Sequence, residues 1–344
     1  TIALESDGDA TYNPSTGVIT ATGFSGNLTG TLQTAAQTNV TSLGTLSGLT
    51  VSGEASVTTL DIGGTDVTST ATELNVLDGA LKENNSIWIG NDPSSTTNSA
   101  EYNNAIGVSA LASITTGDFN TAMGWRALKY NTTGHSNIGI GYVALRDNVS
   151  HVGNVAIGYQ SMQDANGADY NTAVGNNALR GTTDTDITGD ENVAIGAGSM
   201  KFNIAGAQNT AVGRSSLYTN TSGSNNTALG YQSLHFNTTG NYNTAVGYYA
   251  LKDATTEGSL TAVGYGAAAN NTTGSGTVAL GYDALTTNTT GDYNTALGMY
   301  ALRYNLTGEK NTATGYKALT ANTTGSYNTA NGYFTLSSNT TGEY

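Results

Sequence analysis

A chain of 344 residues with a formal net charge of −14, only 11 Lys and Arg, 45 Gly and no Cys is already bounded in what it can do. Scarce cations argue against nucleic acid and against an anionic membrane surface as partners. The lack of Cys removes disulfides, thiolate metal sites and Cys nucleophiles together. Charged residues are 10% of the chain, where about 25% is usual, so the composition alone resembles that of a disordered protein, yet disorder does not require apolar residues in strict phase. No apolar run reaches the roughly 18 residues of a membrane helix, so no membrane insertion is expected in this segment. The chain starts at Thr1, without a basic-then-apolar leader, and Tyr344 falls where a further repeat would begin; it reads as a piece of a longer chain.

Residues 1 to 84 form a first region, expected to be a β-rich connector or collar. Short alternating runs broken by glycine, Gly17 to Gly23, Leu49 to Gly53 and Val57 to Gly64, read as short strands and tight turns. Ser69 to Gly79 is the one expected helix, with a Ser/Thr cap, Glu73 in its first turn and Gly79 at its end. Two turns of helix do not hold together in water alone, so it would need a packing partner.

From residue 85 to 344 the chain repeats. Taking the glycine of Asn-Thr-Ala-[Val/Ile/Leu]-Gly as position 0 gives Gly90, Gly107, Gly124, Gly141, Gly158, Gly175, Gly196, Gly213, Gly230, Gly247, Gly264, Gly281, Gly298, Gly315 and Gly332, spaced by 17 residues except for 21 between Gly175 and Gly196. A fixed period implies stacked units whose cores run into one another. In the first unit Trp88 stands at −2, where later units have Ala, and is expected to plug the end of the stack.

Within a unit, −1 is apolar, −2 is Ala, +1 is commonly Tyr and +4 is usually Leu or Met. Side chains alternate along a strand, so −3, −1 and +1 share one face and −2 and 0 the other. Which face lies inside is left open by the pattern. At +10 a glycine preceded by Asn-Thr-Thr, as at Gly240 and Gly291, suggests a turn with positive φ. The unit therefore reads as strand, bend, strand, turn, stacked about 4.8 Å per rung. The fold class expected is an all-β, parallel β-roll or β-solenoid of about 15 rungs. With few large apolar side chains per rung, such a roll is thin, and association around an axis, most simply as a homotrimer, would bury its second apolar face.

Candidate chemistry is sparse. His135, His151 and His235 have neither metal spacing nor catalytic partners and are expected on the surface. No phosphate-loop, dinucleotide or calcium-repeat sequence occurs, so no cofactor is expected. The four-residue insertion gathers Asp184, Asp186, Asp190 and Glu191 in one loop, a weak candidate for a cation or receptor contact and, above all, a solvated loop. A glycosidase pair needs two carboxyls at fixed separation beside a cleft, and this loop lacks that pattern. Asn131, Asn148, Asn220, Asn237, Asn271, Asn288, Asn305, Asn322 and Asn339 open Asn-x-Ser/Thr at +7: glycan acceptors in some secreted proteins, turns otherwise. Trp125, Tyr130, Tyr218 and Tyr304 suit either sugar stacking or packing between rungs, the second being the expectation.

The sequences Asn-Ser-x-x-Ile-Gly and Asn-Thr-Ala-[Val/Ile/Leu]-Gly-Tyr-x-[Ala/Ser]-Leu resemble the head repeats of trimeric autotransporter adhesins. The 17-residue version ending Asn-Thr-Thr-Gly, preceded by Gly23 to Gly30 and Asp61 to Asn75, looks more like phage tail fibres. The resemblance implies a left-handed parallel β-roll and a trimer. It departs from adhesin heads in its longer period and in the lack of a C-terminal membrane anchor. The expected function is a structural and adhesive fibre without enzymatic activity: a phage tail fibre on the virion surface, contacting a host cell-surface glycan or protein. Alternatives are a cellular adhesin or extracellular filament and, further off, a polysaccharide depolymerase. Thr314 and Asn331 replace the apolar −1 residue, so the C-terminal rungs are expected to be wetter.

Overall fold

The computed structural model describes residues 10–16, 18–21, 60–62, 65–67, 80–83, 85–90, 99–182 and 185–343. The chain divides into two compact units, Thr1–Thr68 and Ser69–Tyr344. In the first, β1 (Ala10–Asn13) pairs antiparallel with β2 (Val18–Ala21), and β3 (Leu60–Ile62) with β4 (Thr65–Val67). Both β2 and β3 fall within runs expected to be strands. The expected helix and the run at Leu49 to Gly53 lie outside the described residues.

The second unit is one 16-stranded sheet in strict sequence order. It opens with β5 (Ala80–Glu83) and β6 (Ser86–Ile89), an antiparallel hairpin, and continues through fourteen three-residue strands from β7 (Asn104–Ile106) to β20 (Thr329–Asn331), each parallel to the last. The sheet thus begins one strand before the repeat phase. β5 covers the backbone edge that β6 would otherwise present. Trp88, paired in register with Leu81 and Ala105, is fully buried, as expected of an end plug. The all-β solenoid with one 17-residue rung per strand is the architecture that the period implied, and no helix occurs among the described residues.

The orientation of the strand is settled by burial. Alanine at −2 points inward and is fully buried from Ala105 to Ala330, apart from 1% exposure at Ala122. A Cβ added to Gly139, the one glycine at this position, would lie 3.1 Å from Leu128 Cγ, so −2 faces the +4 side chain across the roll. The core of most rungs is therefore Ala at −2, Ala or Ser at +3 and Leu or Met at +4, all buried; Ala268 takes +4 in the rung of Gly264, and in the last rung Leu336 is exposed. The bulkier −3, −1 and +1 residues face outward.

Two local expectations need correcting. The segment around +4 is not a strand: residues +2 and +4 adopt left-handed backbone, as in Gln232 (φ 51) and Leu234 (φ 51), and so does +12, as in Tyr242 (φ 59). A left-handed non-glycine residue costs about 1–2 kcal/mol, offset here because these bends turn +4 inward while keeping backbone pairs between rungs: Leu234 N–H donates to the Ala250 carbonyl at 2.9 Å and Phe236 N–H to that of Lys252 at 3.0 Å. The glycine at +10, in turn, is not at positive φ. It is required for space, since a Cβ on Gly274 would meet Asn271 Oδ1 and the Gly291 carbonyl oxygen, each at 2.5 Å. Position 0 needs glycine on both counts. Gly281 has φ +136, and its Cβ would lie 2.7 Å from the Gly298 carbonyl carbon and oxygen.

Candidate functional site: two outer faces and the polar ladders between them

Two rows of buried asparagine run along the roll. At −4, Asn120 Oδ1 accepts the Asn137 N–H at 3.0 Å, and Asn120 Nδ2 donates to the Gly134 carbonyl at 2.9 Å; the arrangement recurs from Asn103 to Asn243 and from Asn294 to Asn328. At +7, Asn Nδ2 donates to its own +10 carbonyl and, at Asn148, Asn220, Asn237, Asn288, Asn305 and Asn322, also to the Oδ1 of the Asn one rung before it, as in Asn305 to Gly308 (2.9 Å) and to Asn288 (2.8 Å). Amide ladders of this kind satisfy buried polar groups along a stacked sheet.

These ladders decide the fate of the sequon asparagines. Asn131, Asn148, Asn220, Asn237, Asn271, Asn288, Asn305 and Asn322 are fully buried, with Nδ2 already donating to a +10 carbonyl. Their folded conformation leaves no room for an N-linked glycan; Asn339 in the last rung is half-exposed. The turn reading of these motifs holds, and its reason is an internal ladder that the spacing alone did not reveal. Where alanine interrupts the +7 row, at Ala165 and Ala254, the preceding Asn148 and Asn237 keep an Oδ1 without a partner.

Of the insertion's acidic residues, the three that are described each take a separate partner. Asp184 lies outside the described residues. Asp186 Oδ2 accepts from Asn166 Nδ2 at 3.3 Å, Asp190 Oδ1 from the Asp169 N–H at 2.8 Å, and Glu191 Oε2 from Gln208 Nε2 at 3.0 Å. Asp190 thus serves a ladder at +11, seen again where Asp118 accepts from the Glu101 N–H and Asp292 from the Ser275 N–H. The inserted segment instead delivers Ile187, fully buried, in the rung after Ala165. Among the described residues no group of three His, Asp or Glu side chains is placed to hold a metal ion.

Two outer faces remain. On the sheet face, the −3, −1 and +1 positions of the fourteen rungs from Gly107 to Gly332 contain one charged residue, Arg214. Ile106, Met123, Ile157, Ile195 and Leu280 at −1 are exposed, beside the +1 row. Tyr231, Tyr248, Tyr265 and Tyr282 stack ring on ring at 5.0–5.1 Å with planes within 15°. Trp125, Tyr142 and Tyr159 do the same at 4.7 and 5.2 Å. Rings packed face to face offer edges and hydroxyls outward, so the packing reading of Trp125 holds. A hydrogen bond with Tyr249 pushes the Tyr248 hydroxyl up to about 12. That −3, −1 and +1 share a face was legible in the repeat; its outward direction was not.

The opposite face is built from +5 and +6, outward because +4 points in. It is chemically different. Six of the 11 Lys and Arg stand at +5, namely Lys129, Arg146, Arg180, Lys201, Lys252 and Arg303, whereas three of the 25 Asp and Glu, Asp147, Asp164 and Asp253, stand at +6. Aromatic rings accompany them: Lys129 Nζ lies 4.5 Å from the Tyr130 ring centroid, and the guanidinium carbon of Arg303 lies 5.3 Å from that of Tyr304. Lys129 also donates to the Tyr130 hydroxyl and pulls its pKa below the usual tyrosine value. Asp164, 3.6 Å from Arg146, is nearly buried, and desolvation raises its pKa. His135 is exposed; His151 and His235 are half-buried, with His151 Nδ1 3.2 Å from Asp169. No protein-family model matches this sequence, and neither a curated protein nor a solved structure is significantly similar to it.

Proposed function

We propose that the chain is a structural and adhesive fibre without a catalytic step of its own, associating as a homotrimer through its sheet face. In this reading it is a segment of a phage tail fibre that carries a host-receptor contact. The observation that carries the reading is the sheet face itself: fourteen rungs with a single charge, exposed aliphatic side chains at −1 and a row of tyrosines, on a roll whose own core is already closed by −2 against +4. Exposed apolar surface of that extent marks an association site. The resemblance to trimeric heads sets the number at three. Chemical monotony suits a spacer, since every rung repeats the same backbone pairs and adds length without a new interface.

Light scattering on the purified chain tests this. A molar mass near three times 35.1 kDa is the expected result; a monomer at micromolar concentration overturns it. Shortening of a host polysaccharide on incubation with the protein would overturn the non-catalytic part.

A further inference from the structure

The +5/+6 face points away from the sheet face and stays at the surface when copies associate through the latter. Along it, one stretch differs from the rest. Lys201, Tyr218, His235 and Lys252 occupy +5 in four consecutive rungs, held in register because the +6 N–H of each rung donates to the next rung's +5 carbonyl: Phe202 to Tyr218 (3.1 Å), Thr219 to His235 (3.1 Å) and Phe236 to Lys252 (3.0 Å). The Tyr218 and His235 rings stack at 5.1 Å and 8°. Phe202 stands edge-on to Tyr218 at 5.0 Å and Phe236 edge-on to His235 at 4.5 Å, both from +6. His235 Nδ1 lies 2.9 Å from the Ser215 carbonyl, which accepts from it, so Nε2 is the ring nitrogen turned to a ligand. Lys201 Nζ lies over Phe202 at 4.9 Å and 3.4 Å from the Tyr218 hydroxyl, and among the described residues no carboxylate pairs with it. Lys252 is paired with Asp253 at 3.1 Å.

We propose that this row binds a carboxylated polysaccharide: Lys201 takes a carboxylate, the hydroxyl of Tyr218 and Nε2 of His235 take sugar hydroxyls, and Phe202 and Phe236 flank the apolar face of the chain. The proposal rests on the fibre reading only in supplying the chemistry of its receptor. Charge favours this ligand class over nucleic acid. The protein carries −14 overall, and DNA presents one negative charge per about 1.7 Å, whereas one carboxylate per sugar is sparse enough to be matched by Lys201, the lysine of this row that no carboxylate pairs among the described residues. Repulsion from the remaining acidic residues is screened beyond about 8 Å at physiological salt. An aromatic platform beside an isolated cation serves a ring-shaped, weakly charged polymer better than a lipid headgroup, which needs clustered cations.

The test is calorimetric titration of the full chain with polygalacturonate oligomers, and with neutral dextran of equal length. Binding of the first and none of the second is expected. Lys201→Thr should weaken binding about tenfold, the loss of one charge-assisted contact. Thr286 and Thr320 occupy +5 in other rungs, so this substitution keeps the fold. Lys317→Thr, the same change in net charge at +2, should leave affinity unchanged. Equal binding of dextran, unchanged affinity of Lys201→Thr, or tighter binding of a DNA oligomer or of phosphatidylserine vesicles overturns the proposal. A trimer that binds no polygalacturonate sinks the site and leaves the fibre reading standing; a monomer that binds it does the reverse.

Discussion

At the scale of the residue, glycine and asparagine do the work that a large apolar core does elsewhere. Gly281 combines φ +136 with a backbone neighbour in the next rung, so Gly281→Ala combines a strained conformation with a collision against atoms that cannot swing aside. Each effect is worth about 1–3 kcal/mol. A long repeat array does not unfold as one unit, so the loss should appear locally, as faster hydrogen exchange in the rungs of Gly281 and Gly298 while those near Gly141 keep their protection. Equal protection throughout would mean that the rungs slide to accommodate a Cβ. The glycine period was plain in the sequence, but the two reasons for it were not. At position 0 glycine answers both φ and space, at +10 space alone, and the left-handed positions +2, +4 and +12 accept Gln, Leu and Tyr and so leave no glycine signature.

At the scale of the rung, the side chains at +7 and +10 are coupled. The asparagine at +7 turns its Oδ1 to where a +10 side chain would start, as Gly274 and Asn271 illustrate. Where +7 is alanine, +10 is released from glycine: Ala254 is followed by Glu257 and Ala165 by Ala168, with Asn148 and His151 the exception. Ala254 also splits two ladders, leaving Asn237 Oδ1 without a partner below Asn271. Ala254→Asn alone should therefore be neutral or slightly destabilising, because the new amide meets the Glu257 side chain. With Glu257→Gly added, the row from Asn203 to Asn322 is broken at neither residue, and the pair should be more stable than the sum of its parts by about 1 kcal/mol, the net worth of a hydrogen bond. A thermal-unfolding double-mutant cycle reads this directly; strict additivity would show that the two positions do not share space. The sequence displayed the Asn-x-Thr-Gly motif as a turn, and so it is, but the inward direction of its amide depends on stacking partners 17 residues away that no local signal carries.

At the scale of the whole molecule, the two-layer rung gives each outer face its own composition, and the proposed association and the proposed recognition fall on different faces. The grouping of −3, −1 and +1 on one face was legible from the period of two. The inward direction of alanine was not, because a small residue at a strand centre serves equally for a thin core or for close approach of a second chain. With that direction known, the faces can be tested independently. Val263 at −1 is half-exposed, flanked in register by Val246 and Leu280 and beside the Tyr248, Tyr265 and Tyr282 stack. In a lone roll Val263→Glu places a carboxylate in water and should leave the far-ultraviolet circular dichroism unchanged, at a cost below about 1 kcal/mol. In an assembly it buries an unpaired charge, which costs several kcal/mol per copy and is repeated in every copy around the axis. The variant should therefore run as a folded monomer where the parent runs as a multimer, with polygalacturonate binding at Lys201 retained because that row lies on the other side of the core. If Val263→Glu keeps the parent's molar mass, the sheet face is not where copies meet, and association must be sought on the +5/+6 face, where bound polysaccharide would then compete with it.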